Sequence, residues 1–505
     1  MPVFQSMATA GAATGEHRAA GIAIIGAGFG GIGLAIRLKR AGIKDFVLFE
    51  QASDIGGTWR DNTYPGCACD IPSILYSFSF AARADWSRRY PIQEEIQAYL
   101  RDCVTREGLW PHIRLGVALR GAAFDPTIAG WRLRLDPGEG RTVQTLVLAA
   151  GALHVPALPR IPGLDLFQGH AFHSAHWDHG VDLTGKRVAV IGTGASAVQF
   201  LPRIAGLAAA LTVFQRTPSW VLPKQDPPTT EMGRSILRYV PLARRMVRAW
   251  QYWTHEARAI GFLGGTWLLK VAERRARTHA KRQIADDATR ERLTPDYRIG
   301  CKRILLSNDF LPVFNRPTVT LETAPIARIT RNGVETVTGL TYLADVLIFA
   351  TGFQATDPLA GIQIVGRDGQ SLAAAWRNGM RAWLGVAVTG FPNLFLLAGP
   401  NTGLGHNSVV FMLEAQIGHI LRCLRRMRRR GAAVIEVWAA VEHRFNAWLD
   451  LHMQRTVWLS GCRSWYLDRA GRNTTLWPGF SAGYWLRLRG FTAHAYRLSG
   501  LPPRS

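Results

Sequence analysis

Two stretches of the chain repeat one pattern of apolar and polar positions. The first is the unbroken apolar run Ile22–Ile25, the turn GAGFGG at Gly26 to Gly31, apolar residues at helical spacing to about Arg40, and a second apolar run, FVLF, ending at Glu50. The second is VAVI at Val188 to Ile191, the turn GTGASA at Gly192 to Ala197, a helical stretch to about Ala205, and LTVFQ ending at Arg216. A short continuous apolar run bounded by turn residues predicts a strand buried on both faces, so each stretch predicts strand, helix and parallel strand. Gly26 to Glu50 and Gly192 to Arg216 are both separated by 24 positions. The common spacing predicts an α/β protein with two Rossmann-like dinucleotide-binding domains.

Two further apolar runs, TLVLAAG at Thr145 to Gly151 and DVLIFATG at Asp345 to Gly352, each enter a loop containing glycine or proline. They are expected to mark the crossings between the two nucleotide domains, which makes the first domain discontinuous. The expected division is a flexible extension over 1–20, the first part of one dinucleotide-binding domain over 21–154, a second dinucleotide-binding domain over 155–349, and the rest of the first domain with a C-terminal segment over 350–505. Residues from about 224 to 300 have helical periodicity, many arginines and few turn signals, and read as a helical insertion. Their arginines recur so often that little width is left for an apolar face. The insertion is therefore expected to be a solvated lid or wall, with no stable membrane anchor. VVFMLEAQIGHILRCLRRMRRR, after GPNTGLGHNS, predicts a long helix whose last turns carry arginine, as the helix dipole favours.

Composition narrows the class. The chain has 505 residues, 48% of them hydrophobic, enough for two or three domains with substantial cores. The formal charge of +24 comes mostly from arginine, since only seven of the 60 basic residues are lysines. That charge is spread along the chain with no basic module interleaved with stacking aromatics, so no nucleic-acid partner is expected. No run of 18 apolar residues occurs, and the first twenty residues lack a basic start followed by an apolar core. The six cysteines show neither CxxC nor zinc spacing, so a cytoplasmic protein with six free thiols is expected. Nothing specifies an oligomer.

The glycines have separable tasks. Gly26 and Gly192 permit the tight turn, Gly28 and Gly194 let the backbone approach a pyrophosphate, and Gly31 and Ala197 must be small for helix and strand to pack. Glu50 can accept hydrogen bonds from both hydroxyls of an adenosine ribose, which suits FAD or NAD, and the first domain reads as the flavin site. Arg216 would serve those hydroxyls poorly but pairs with a 2′-phosphate, which suits NADPH. A flavin domain beside an NADPH domain fits disulfide reduction, oxygenation or electron transfer. Cys67-Ala68-Cys69 would close a strained ring, which leaves oxygenation ahead of disulfide reduction.

Two long interrupted patterns then resemble the Baeyer-Villiger monooxygenases, flavin-dependent enzymes that use FAD and NADPH. FQGHAFHSAHWD matches FxGxxxHxxxW plus Pro or Asp at Phe167, Gly169, His173, Trp177 and Asp178. GGTWRDNTYPGCACD matches GGxWxxxxYPGxxxD at Gly56, Gly57, Trp59, Tyr64, Pro65, Gly66 and Asp70. With QRTP, CKR and GPNTG the resemblance spans about residues 20 to 485. It implies reduction of FAD by NADPH, capture of dioxygen as a C4a-peroxyflavin, and attack on a ketone to give an ester or lactone. It also implies Arg303 as the active-site cation and Asp70 as the acid that holds it. Lys302 matches the family's lysine on the cofactor phosphate, and Gly57, Thr58, Trp59, Asp70, Arg216 and Thr217 are expected among the cofactor-binding residues. Trp465 resembles a tryptophan that touches the nicotinamide ribose. An arginine suits a peroxide anion because it does not deprotonate.

His173 is expected to organise the hinge between domains. Although His170, His176 and His179 lie near it, no carboxylate or cysteine stands at ligand spacing, so no metal is expected. The first crossing reads Ala149-Ala150-Gly151 where many relatives have ATG. Two rival readings share the nucleotide sites. One is a flavin monooxygenase that oxygenates nitrogen or sulfur, and the other a non-catalytic flavoprotein that senses redox state or touches membranes.

Overall fold

The computed structural model describes residues 21–138, 140–490 and 494–500; the extension expected over 1–20 lies outside them. Two five-stranded parallel sheets form the scaffold. In the first, the order is Leu394–Leu396, Thr145–Leu148, Ile22–Ile25, Phe46–Phe49 and Ile113–Arg114. In the second it is Val319–Glu322, Ala210–Phe214, Arg187–Ile191, Val346–Phe349 and His170–His173. The central strands are buried along their whole length, which is why they read as unbroken apolar runs. The first sheet draws on both ends of the described chain. The chain leaves it after Leu148 and returns to it at Leu394.

The helix Phe29–Arg40 follows the first glycine turn and Ala195–Ile204 the second. The helix Val409–Arg430 packs across Phe29–Arg40 and closes the outer side of the first sheet. Its Ser408 hydroxyl accepts from Val410 N at the start, and Gly431 ends it in the left-handed region at φ 59°.

The insertion is pinned at its base by the short parallel pair Val221–Leu222 and Leu305–Leu306. Between them lie the helices Glu231–Tyr239, Pro241–Glu256, Ala259–Phe262, Thr266–Gln283 and Asp287–Arg292. The break between the first two falls at Pro241, which occupies a first-turn position where no amide donor is needed.

The structure corrects the expected character of this insertion. Arg248 turns inward, donating to the carbonyls of Ile74 and Ser77, while Met232, Ile236, Tyr239, Leu242, Met246, Trp250 and Trp253 are exposed. The apolar face exists and points outward. Among the described residues, no helix is long and apolar enough to cross a membrane.

A second correction concerns the thiols. Cys301 and Cys462, 161 positions apart, form a disulfide, while Cys67, Cys69, Cys103 and Cys423 are free and buried. The pair joins the end of the insertion to a C-terminal loop. Such a contact leaves no spacing signal in the sequence.

Candidate active site

Both glycine turns open into one cavity of about 1470 Å³. This exceeds the ~300–1,000 Å³ of an ordinary single-ligand site, so it has room for more than one ligand. Gly26, Gly28, Glu50, Gly57, Thr58, Trp59, Asp70, Gly194, Arg303 and Trp465 all line it.

The first turn is built by close backbone contact. A Cβ on Gly26, at φ 103°, would lie 2.6 Å from the carbonyl oxygen of Ala149, and one on Gly31 would lie 1.9 Å from that of Gly26. At Gly28 the nearest atom would be 3.9 Å away, so its missing side chain leaves open space beside the helix N-terminus. That space and the amides around it fit a pyrophosphate. Gly192 repeats the first contact against Ala350, 2.5 Å away, while the fully buried Ala197 is accommodated. Gly31→Ala is expected to push helix from strand at a cost of about 1–3 kcal/mol. The flavin-to-protein absorbance ratio after purification should fall, with far-ultraviolet circular dichroism largely kept.

Glu50 is buried at the end of its strand. Its carboxylate accepts from Ala27 N at 2.8 Å and Ala52 N at 3.1 Å, and pairs with Arg60 at 2.9 Å. Arg60, held in turn by Asp61, had no sequence signal beyond its place inside GGTWRD. Trp59 is buried and donates from Nε1 to the Tyr76 hydroxyl at 3.1 Å.

Arg303 and Asp70, 233 positions apart, meet face to face. Arg303 Nε donates to Asp70 Oδ2 at 3.0 Å and Nη2 to Oδ1 at 2.6 Å. The Asp70 charge holds the guanidinium well above its ordinary pKa, with burial acting the other way. Nη1 makes no hydrogen bond with the described residues, and 37% of the side chain stays open in the cavity wall. Tyr466 stands close by, its phenol pushed up to about 12 by burial. The disulfide ties Cys301, two residues before Arg303, to Cys462, three before Trp465. Arginine and tryptophan are thereby fixed on one wall.

Arg216, Thr217 and Lys302 do not line the cavity. Arg216 is exposed just past its strand, and Lys302 lies over the Tyr297 ring at 4.7 Å. Burial and then the Arg216 charge depress the Lys302 ammonium below its ordinary pKa, so two cations crowd together at the strand end.

Phe167, Gly169, His173, Trp177 and Asp178 also stand apart from the cavity and shape the edge of the second sheet. A Cβ on Gly169 would meet the Asp345 carbonyl oxygen at 2.3 Å. His173 ends the strand beside Phe349; its Nδ1 accepts from Ala175 N at 3.1 Å, and its ring meets Phe353 edge-on. Burial and the neighbouring His176 lower its pKa to about 4. Trp177 packs between Phe172 and Phe200, and Asp178 caps the following turn at Gly180. The motif thus sits where the second sheet hands the chain to the crossing Ala350-Thr351-Gly352. There the Thr351 hydroxyl donates to the Ala157 carbonyl at 2.6 Å, a bond that Ala150 in the first crossing has no group to make. Among the described residues no cluster of histidine, cysteine or carboxylate could hold a metal ion.

Sequence reasoning missed two contacts that join the parts. Gln199, on the helix after the second turn, accepts from the Tyr64 hydroxyl at 2.9 Å and donates to the Ala68 carbonyl at 2.9 Å. A Cβ on Gly66 would lie 2.9 Å from the Gln199 carbonyl oxygen. The YPG segment is therefore an interface between the two nucleotide units.

Glu256, buried at 2% exposure, joins the insertion to the rest of the chain. It accepts from Ser481 Oγ at 2.7 Å, Ala482 N at 2.9 Å and Asn407 Nδ2 at 3.0 Å, with His406 Nε2 at 3.4 Å. Burial pushes its pKa up, but these partners prevail and hold it at about 2, against 4.5 ordinarily. A depressed carboxylate stabilises the fold above its unfolded pKa. That stability is lost as pH falls from about 4.5 towards about 2. Glu256→Ala is expected to cost about 3 kcal/mol near neutrality, the scale of leaving two or three buried donors without an acceptor. Denaturant titrations should show the gap from the unmodified protein closing over that acidic window.

A family model described as flavin-binding monooxygenase-like matches residues 19–232. A Baeyer-Villiger monooxygenase of Pseudomonas aeruginosa is 46% identical over 95% of this chain and 92% of its own. One of Streptomyces coelicolor is 43% identical over 93% and 90%. Among solved structures, OTEMO in complex with FAD and NADP superposes with a TM-score of 0.87 at 28% identity, over 95% of this chain and all of that one.

Proposed function

The chain belongs to the Baeyer-Villiger monooxygenase family, and we propose on that premise the part each residue plays in its reaction. The enzyme uses NADPH and dioxygen to insert one oxygen atom beside a ketone carbonyl, giving an ester or lactone. The observation that carries the assignment of the site is the Arg303–Asp70 pair in the wall of a cavity that also receives both glycine turns.

FAD fits the first turn, with Gly26, Gly28 and Gly31 admitting its pyrophosphate and Glu50 its ribose. Reduced by NADPH, it supplies the oxygen-activating chemistry. NADPH fits the second turn at Gly192 and Gly194, with Arg216, Thr217 and Lys302 on its 2′-phosphate. Arg303 supplies a positive charge that persists at any working pH, and its free Nη1 is a preorganised donor for an oxygen anion. Asp70 is a positioning residue that fixes the guanidinium by three hydrogen bonds, one from Nε and two from Nη2. Trp59 and Trp465 are assigned to the walls beside the reacting centre, and His173 with Trp177 to the hinge between sheets.

A fixed cation favours the deprotonated, nucleophilic form of an oxygen donor. It thus favours attack on a carbonyl over electrophilic oxygenation of nitrogen or sulfur. The partners proposed are a small ketone and dioxygen, with no nucleic acid, and the demand for NADPH suits a cytoplasmic setting. Linear, cyclic and aryl ketones should be offered with NADPH, and products identified by mass. Ester formed in proportion to NADPH consumed supports the reading. N- or S-oxides without esters, or no turnover with any of them, would reject it.

A further inference from the structure

The insertion carries a surface that catalysis does not use. Along the helix Pro241–Glu256, Leu242, Met246, Trp250 and Trp253 recur at three- and four-residue spacing on one outward stripe, with exposures of 65, 64, 72 and 60%. The preceding helix extends the apolar surface through Met232 and Ile236. Large apolar side chains this exposed and this close in sequence mark an interaction site.

The charge of the insertion decides the partner of this surface. Arg245 on the helix Pro241–Glu256, and the exposed Lys270 and Arg274 on the helix Thr266–Gln283, form no ion pair with any described carboxylate, and the whole chain carries +24. A second copy of the chain seated here would bring two basic insertions together, and like charges would oppose the contact. Apolar side chains rich in tryptophan together with unpaired basic residues suit the boundary of an anionic bilayer, where rings enter the headgroup region and cations meet phosphates.

The stripe also leads to the active site. Trp253 is followed by Thr254, a cavity-lining residue, and Ile260 and Trp267 are both exposed and part of the cavity wall. Exposed apolar side chains of the same insertion therefore edge the cavity mouth.

We propose that the outward face of the insertion docks reversibly on anionic lipid bilayers, lying in the interface without spanning it, and that the enzyme collects lipophilic ketones there. The docking stands on the surface alone, whereas the delivery of ketones rests on the function proposed above.

The test uses the full FAD-loaded chain and vesicles of phosphatidylcholine with and without an equal share of phosphatidylglycerol. The unmodified protein should sediment with the anionic vesicles and much less with the neutral ones. The triple variant Leu242→Ser, Met246→Ser, Trp250→Ser should partition about 100-fold more weakly, as three deeply exposed apolar groups are lost. It should keep its flavin and its rate on a water-soluble ketone, and lose rate on a long-chain ketone dissolved in the vesicles. Docking is overturned if neither vesicle binds, if neutral vesicles bind equally, or if the variant binds as well as the parent. It is also overturned if the face proves to be a dimer contact, with the parent dimeric, the variant monomeric and neither bound to lipid. Vesicle binding without vesicle-dependent turnover would overturn only the delivery of ketones.

Discussion

Arg303→Ala is expected to retain FAD while ester formation falls by ~10²-fold or more. Retention follows from the fold, since Arg303 makes its side-chain hydrogen bonds to Asp70 and none to the glycine turn that would seat the pyrophosphate. The loss follows from charge. Of the guanidinium's donors, Nε and Nη2 are committed to Asp70 and Nη1 is left for a ligand. Removing the side chain takes away both a preorganised donor and the permanent cation. Turnover should fall much more than the Michaelis constant for ketone rises, and NADPH consumption should end in hydrogen peroxide. Arg303→Lys should be intermediate, because a lysine keeps the charge but cannot form the paired contact with Asp70. Asp70→Ala should be milder than Arg303→Ala, since the arginine keeps its charge and loses only its orientation. Ester formation at the unmodified rate in Arg303→Ala would show that another residue supplies the charge.

What could be read from the sequence follows the range of the interactions. The two strand-turn-helix units were legible because buried parallel strands write themselves as apolar runs, and because each glycine requirement is met within a few residues. Arg303 and Asp70 are 233 positions apart, and only the resemblance of two patterns connected them. Gln199 and Glu256 carried no signal, since each is defined by partners from distant segments: Tyr64 and Ala68 for one, Asn407, Ser481 and Ala482 for the other.

The insertion was misread for a different physical reason. Helical spacing shows that a helix has two faces but does not say which one meets the core. In Pro241–Glu256 the inner side includes Arg248, whose guanidinium donates to main-chain carbonyls in place of water, with burial lowering its pKa. An arginine count therefore could not tell a solvated face from one with its apolar stripe outward. The Cys301–Cys462 bond shares this limit: burial and proximity made it, and neither is a local property.

The crowded cations at the end of the second nucleotide unit lead to the other large effect. Lys302 and Arg216 disfavour one another, and burial adds to the cost of the ammonium. Such an arrangement is improved by an anion placed between them, and a 2′-phosphate brings close to two negative charges. NADPH should accordingly be strongly preferred to NADH. Each charge-assisted contact is worth roughly 1.5–3 kcal/mol, so Arg216→Ala or Lys302→Ala should raise the Michaelis constant for NADPH about 10- to 100-fold. The double variant should approach the product of the two, lessened where removing one cation relieves the other. Efficiency with NADH, which has no 2′-phosphate, should change little, so the preference collapses because NADPH becomes worse. Steady-state kinetics with both nucleotides at fixed ketone and dioxygen reads this directly. Equal efficiency of the unmodified enzyme with NADH and NADPH would refute the assignment. So would parallel losses with both nucleotides in the variants, since damage to the fold predicts that pattern and loss of a phosphate contact does not.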